Sequence, residues 1–474
     1  MVFLTFIAPM QNLLCLLCCL CSAFTLKAQG YEITVRINGY QSGYLYLGHY
    51  MGKTTYVMDS ARINADGVAV LKGAEKQPGG IYLIVLPGKK RYFEMLMDEV
   101  QTFSIVADTA DLVGKTEYKG SPDNDMFKAY NRFLASQGAA RGEIQRQLAT
   151  ARTAADTAKV APLTAELGKK LQEYRDEVIK QHPKSLLAAI FRAMREPEVK
   201  PMARKADGSL DSTYPYRYFK AHYWDDVDLS DGRLVRTPII ETRLNRYFTQ
   251  LVAPVPDSVI VEADALVKKT GGDKESFKFL VWWLTLQYEA SPIMGMDAVF
   301  VHLVEKYYVS GQAFWVTEEQ NQKIIDRAYT MAPNLIGQKG APLPLQDTAG
   351  KPASLYDIKS KYTILVFWDP TCGHCITEVP RLDSAFNASW KQKGAVMFGV
   401  KTEGTQEEWL KFIKEKKLKG WIHAWDPGYK SNYRRFYDVY STPLVYLLDE
   451  NKKILAKRLG VEQLEDFLQR AMRE

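Results

Sequence analysis

Cys372-Gly373-His374-Cys375 holds the residues of this chain best suited to chemistry. It follows an apolar run, Tyr362–Trp368, that reads as a buried strand, and it opens a helical stretch to about Lys393. Two residues between the cysteines place both sulfurs on the first helical turn, within bonding distance. The first sulfur sits at a helix N-terminus, where free N–H groups and the dipole favour a thiolate. The thiolate is the attacking form in disulfide exchange. His374, when protonated, adds positive charge nearby and lowers the Cys372 pKa further. Cys375 lies deeper and is the expected resolving thiol, which attacks the mixed disulfide and releases the substrate. Zinc is the rival, because a Cys-x-x-Cys pair is often half of a four-ligand site. No second pair follows the leader, His374 is inside the motif and His423 is isolated, so the ligand set is incomplete. No cofactor is called for.

Four of the six cysteines, Cys15, Cys18, Cys19 and Cys21, lie in a run from Met1 to Leu26 without a charged residue. Such a run is a secretory signal or a membrane anchor. Cleavage is expected after Ala28, although no Lys or Arg precedes the run and Leu26 is large for its place before the cut. The mature chain then keeps two cysteines and works outside the cytosol. A bridge between residues three apart hardly constrains the unfolded chain, so a chemical role suits the pair better than a structural one.

The 474 residues are 46% apolar and 25% charged, which excludes a disordered or low-complexity chain. Mean hydropathy is -0.24, against a polytopic membrane protein. The net charge of +7 is small and spread along the chain, so no nucleic-acid partner is expected. Three segments differ in periodicity. Residues 29–118 alternate with period two, as in Tyr31–Ile37 and Gly43–Leu47, with turn signals at Asp66-Gly67 and Pro87-Gly88; an antiparallel sandwich-like domain is expected. Residues 119–333 turn helical. Ser121-Pro122-Asp123 reads as a helix start, and Leu163, Leu167, Leu171, Tyr174 and Val178 mark one helix face. Phe277–Leu286, with Trp282-Trp283, reads as a buried helix too short for a bilayer. His49, His182, His222 and His302 are scattered without metal-site spacing. Residues 334–474 alternate strand and helix and end in a strand pair and a helix, with Tyr429–Val439 among the helices, implying an α/β domain with a mixed sheet.

This last segment resembles the thioredoxin-fold, extracytoplasmic thiol–disulfide reductases, the group acting in cytochrome c maturation and related pathways. The resemblance rests on Gly340-Ala341-Pro342, Phe367-Trp368 before the motif, Pro380 five residues after Cys375, Thr442-Pro443 before the strand Leu444–Leu448, and Gly460. It implies a cis bond before Pro443 beside the disulfide, a kink at Pro380, and substrate contacts through Thr442 and Trp368. Glu378 is the suggested proton acceptor for Cys375, with an ordinary surface glutamate as the alternative. Two positions depart from the pattern. Val366 stands where minimal thioredoxins carry a buried acid, and Thr371 where a Trp is common. The upstream segments resemble poorly characterised domains found ahead of such folds in bacterial envelope proteins.

The expectation is a periplasmic or cell-envelope protein that reduces disulfides in envelope proteins and draws electrons from a membrane thiol donor. The Gly-His dipeptide, shared with protein disulfide isomerases, implies a more oxidising pair and keeps isomerisation open. The alternative of another class is a binding or assembly protein with a non-catalytic thioredoxin-like scaffold. Oligomeric state is left open.

Overall fold

The computed structural model describes residues 30–201 and 208–471. The leader and its four cysteines lie outside the described residues. Two units are distinguished, one up to Asn245 and one from Arg246 onward, so the helical stretch 119–333 is divided between them.

The first unit starts from period-two strands. β1 (Tyr31–Asn38) buries Tyr31, Ile33, Val35 and Ile37 and turns the intervening residues outward. β2 (Tyr44–Met51), β3 (Thr54–Arg62), β4 (Val68–Gly73), β5 (Gly80–Val85), β6 (Tyr92–Met97), β7 (Thr102–Asp108) and β8 (Glu117–Lys119) follow. They form two four-stranded sheets, ordered β4-β1-β7-β8 and β3-β2-β5-β6. One core joins Ile33, Val35, Leu45, Leu47, Ile84 and Phe103. β1 and β7 run parallel, which corrects the expectation of a purely antiparallel arrangement. β3 was not anticipated, because this edge strand buries no continuous face.

Helix α1 (Pro122–Ser136) starts as expected, with Pro122 in its first turn. Ser121 makes no cap bond to the helix backbone; its Oγ instead accepts from Asn124 Nδ2 at 2.8 Å. Asn124 is fully buried and acts as a strand residue beside β6. Its Oδ1 accepts the Leu96 N–H at 2.8 Å, and its Nδ2 donates to the Leu96 carbonyl at 2.7 Å. Helix α2 (Ala154–Gln181) carries the predicted Leu163-to-Val178 face, which is only partly covered.

The second unit begins with helices α3 (Pro256–Lys268), α4 (Lys274–Glu289) and α5 (Glu318–Met331). Asp273 caps α4 through the Ser276 N–H at 2.8 Å, and Phe279, Leu280, Val281, Trp283 and Leu284 are buried along it. No helix among the described residues is long and apolar enough to cross a membrane.

A seven-stranded sheet follows: β9 (Leu345–Asp347), β10 (Pro352–Ala353), β11 (Tyr362–Trp368), β12 (Ala395–Lys401), β13 (Ile422–Trp425), β14 (Leu444–Leu448) and β15 (Ile454–Lys457). Their order is β10-β9-β13-β12-β11-β14-β15, with β11, β12 and β13 parallel and the others antiparallel. Every residue of β11 is buried, as expected of a strand covered on both faces. Ile364, Val366 and Trp368 face one core with α6 (Gly373–Ala385) and α7 (Val461–Ala471). Leu365 and Phe367 face the other, with Tyr437 and Tyr446. A side chain at Gly340 would place Cβ 2.8 Å from the Tyr437 hydroxyl, which gives that glycine a packing reason. The helix expected over Tyr429–Val439 shrinks to Tyr433–Phe436, because Tyr429, Asn432 and Asp438 all take left-handed φ.

The helices and the sheet of this unit are tied by charge. Lys457 of β15, nearly inaccessible, pairs with Asp297 and donates to the carbonyl and Oδ1 of Asn334, both at 2.8 Å. Arg327 of α5 pairs with Asp438, whose side chain is 1% exposed.

Candidate active site

β11 delivers the chain to the tight turn Asp369-Pro370-Thr371. Asp369 Oδ1 accepts from the backbone N–H and the hydroxyl of Thr371, both at 2.7 Å, and its carbonyl accepts the Cys372 N–H at 3.3 Å. Cys372 is the N-cap of α6, and its carbonyl starts the helix by accepting the Ile376 N–H at 3.0 Å. The motif therefore sits where the sequence places it, at a helix start behind a buried strand.

The two sulfurs meet different surroundings. Cys372 is partly exposed and donates to the Thr442 carbonyl at 3.5 Å. Its pKa is lowered, first by the Cys375 backbone N–H, then by the Thr442 side chain and by the His374 backbone N–H. Cys375 is fully buried among Trp368, Val379 and Leu382. Burial pushes its thiol up to about 11, although the Asp369 N–H donates to the sulfur at 3.5 Å. Both thiols are free.

The Thr442–Pro443 bond is cis. Thr442 and Pro443 line a groove of about 560 Å³ with His374, Glu378, Tyr440, Ser441, Arg327 and Arg458. His374 is exposed. Glu378 is half-buried and accepts from Arg381 at 2.6 Å, whereas Cys375 receives the Asp369 N–H. Pro380 lies inside α6.

Trp368 requires a correction. It is fully buried, beside Cys375 in the core and 5.2 Å from the Phe412 ring, so it cannot touch a substrate at the surface. Its place is beneath the motif, as packing. Val366, two residues earlier on the same face, is equally buried and brings no charge to Cys375.

Several site groups were not anticipated. Asp369 builds the turn and supplies the N–H on Cys375; the Asp-Pro-Thr sequence carried that turn signal. Lys401 ends β12 opposite Trp368, with its ammonium 5.2 Å from the Trp425 ring, and burial lowers its pKa. Arg327, Asp438 and Arg458 join the groove from a helix and two separate connecting stretches, which no local pattern announces.

The model of the AhpC/TSA family matches residues 336–470. Two models described as domains of unknown function, DUF4369 and DUF5106, match residues 31–127 and 179–332. No curated protein matches. Among solved structures, a domain described as a possible thiol-disulfide isomerase from Cytophaga hutchinsonii is 44% identical, over 30% of this chain and 96% of that one, with a TM-score of 0.29. A thiol:disulfide interchange protein from Bacteroides sp. is 29% identical, over 29% and 90%, with a TM-score of 0.27. A thioredoxin-like protein from Bacteroides caccae is 20% identical, over 58% and 99%, with a TM-score of 0.45. The family match spans the sheet, the motif and the cis-proline together, and it is residues 336–470, the thioredoxin-like part of the chain, that match the AhpC/TSA family.

Proposed function

We propose that the chain is a thiol–disulfide oxidoreductase of the cell envelope that reduces disulfides in other envelope proteins. The observation that carries this reading is the split between the sulfurs: one partly exposed with a lowered pKa, one buried with its thiol held protonated. In the reaction, the Cys372 thiolate attacks one sulfur of the substrate disulfide. The substrate's other sulfur leaves as a thiolate and takes a proton. Cys375 then gives up its proton and attacks the Cys372 sulfur, which releases the second substrate thiol. The substrate gains two electrons, and the Cys372–Cys375 disulfide must be reduced again by an external thiol donor, for which a membrane carrier is the proposed source. Thr442 and Pro443 offer the surface against which an extended substrate lies. His374 and Glu378 stand on the same groove as candidates for moving the protons.

Insulin reduction by dithiothreitol tests the reading. The full chain should accelerate it and Cys372→Ala should not. No acceleration by the wild-type chain would leave the non-catalytic scaffold as the better account. A Cys375→Ala chain should accumulate mixed disulfides with envelope proteins. Isomerisation is the second reading, favoured by the Gly373-His374 dipeptide shared with protein disulfide isomerases. A redox titration separates them: a potential near roughly −180 mV supports isomerisation, one near roughly −270 mV supports reduction.

A further inference from the structure

The groove beside Thr442-Pro443 carries charge that the exchange step does not use. Asp438 is enclosed between Arg327 and Arg458. Arg327 donates to both carboxylate oxygens, to Oδ2 at 3.3 Å, and Arg458 donates to Oδ2. The Arg327 guanidinium also lies 5.2 Å from the Tyr440 ring. One carboxylate thus faces two guanidiniums, and guanidinium stays charged at any working pH. The cluster bears one net positive charge. The carboxylate is hidden, while the Arg327 and Arg458 side chains remain 27% and 49% exposed. Glu378, the other acid on this groove, is engaged by Arg381, which also pairs with Glu462. That trio carries one net negative charge of its own, so the positive charge on the groove is local to the partly exposed Arg327 and Arg458 guanidiniums. Asp438 and Arg458 both hold left-handed φ, 50° and 59°, a conformation that Asp tolerates far better than Arg.

We propose that Arg327 and Arg458 form a subsite for a carboxylate of the substrate polypeptide, an Asp or Glu close to the cysteine under attack. The proposal rests on the exchange reading above, because His374, Thr442 and Pro443 line the same groove. A disulfide that reaches Cys372 lays its flanking residues along these walls. Guanidinium offers paired N–H donors that match a carboxylate, and one buried acid cannot satisfy two such forks. The subsite thus makes the chain choose among substrates by the charge beside their cysteine.

The test uses the full chain, kept reduced, and two peptide disulfides that differ only in Glu or Lys beside the cysteine. The wild-type kcat/KM should favour the Glu peptide by about threefold to tenfold at low salt. The ratio should fall toward one as ionic strength rises. Arg458→Gln should shrink the ratio and Arg458→Glu should abolish or reverse it. Each ratio is internal to one variant, so general damage cancels. The salt series on the wild type decides the matter if neither variant folds. Fast and equal turnover of both peptides at low salt overturns the subsite and leaves the exchange reading standing. A Glu preference that survives Arg458→Glu and high salt also overturns it. No turnover of either peptide by the wild type overturns the exchange reading and the subsite with it.

Discussion

Alkylation of the reduced chain across pH should separate the two thiols of one helical turn. Cys375 is pushed up to about 11 by burial, so at pH 7 only about one molecule in 10,000 carries its thiolate. Cys372 starts from an ordinary value of 9.0 and is lowered by the Cys375 N–H, Thr442 and the His374 N–H. Its thiolate therefore exceeds about one in 100 at the same pH. The difference is at least about a hundredfold before access is counted, and access favours Cys372 again. Iodoacetamide labelling, followed by fragmentation of the peptide holding both residues, locates the label. It should fall on Cys372, with a rate that rises through a midpoint below 9.0. The same shifts act on stability in opposite windows. The Cys372 thiolate stabilises the fold above 9.0 and loses that effect as pH falls through its folded value. Protonated Cys375 stabilises below 9.0, and that effect is lost as pH rises toward about 11. Equal labelling of both sulfurs at pH 7, or a Cys372 midpoint at or above 9.0, would refute the assignment of nucleophile and resolving thiol.

Three further predictions concern the frame around the site. Trp368→Ala should cost about 3–5 kcal/mol in urea unfolding, because it empties core volume beneath the motif. Trp368→Phe should leave the KM for a peptide disulfide within about twofold, and a clearly raised KM would restore a substrate contact. Asn124→Ala strands the Leu96 N–H and carbonyl and should cost about 1–3 kcal/mol; an unchanged denaturation midpoint would mean that the two bonds contribute nothing. Glu465, held by Lys393, Gln469 and Trp390, is lowered from 4.5 to about 2. Its contribution is present above 4.5 and fades as pH falls toward 2, so Glu465→Gln should flatten thermal stability across that window relative to wild type.

What the sequence showed depended on how local each signal is. The period-two pattern of β1 and the unbroken apolar run of β11 each report burial directly, and both strands stand where they were expected. β3 escaped because it packs little, and a strand without a buried face leaves no period. The short helix at Tyr433–Phe436 was overextended because three left-handed residues interrupt a stretch whose composition reads as helical. Trp368 was misplaced by its nearness to the motif. Its register was the better guide, since it alternates with Ile364 and Val366 onto the face that meets Cys375. Arg327 and Asp438 are 111 residues apart, and no spacing rule joins them.

Position along a single turn and depth in the core together divide the labour proposed for the motif. At the N-cap, Cys372 receives backbone N–H groups that nothing in the helix consumes, so a thiolate is favoured without any buried base. Three residues on, Cys375 has turned into the core, where desolvation is the largest influence on its thiol. Val366 adds no charge there, so the proton on Cys375 stays until a mixed disulfide forms beside it. The second step of the proposed exchange then depends on how fast that proton leaves. His374 and Glu378 on the groove, or water reaching it, must carry it, and a substrate seated against Thr442 changes the access of all three. A carboxylate on the substrate, drawn toward Arg327 and Arg458, fixes how that seat is taken. Substrate charge and proton removal are thereby coupled through one groove, and the lifetime of the mixed disulfide should vary with the residue beside the substrate cysteine.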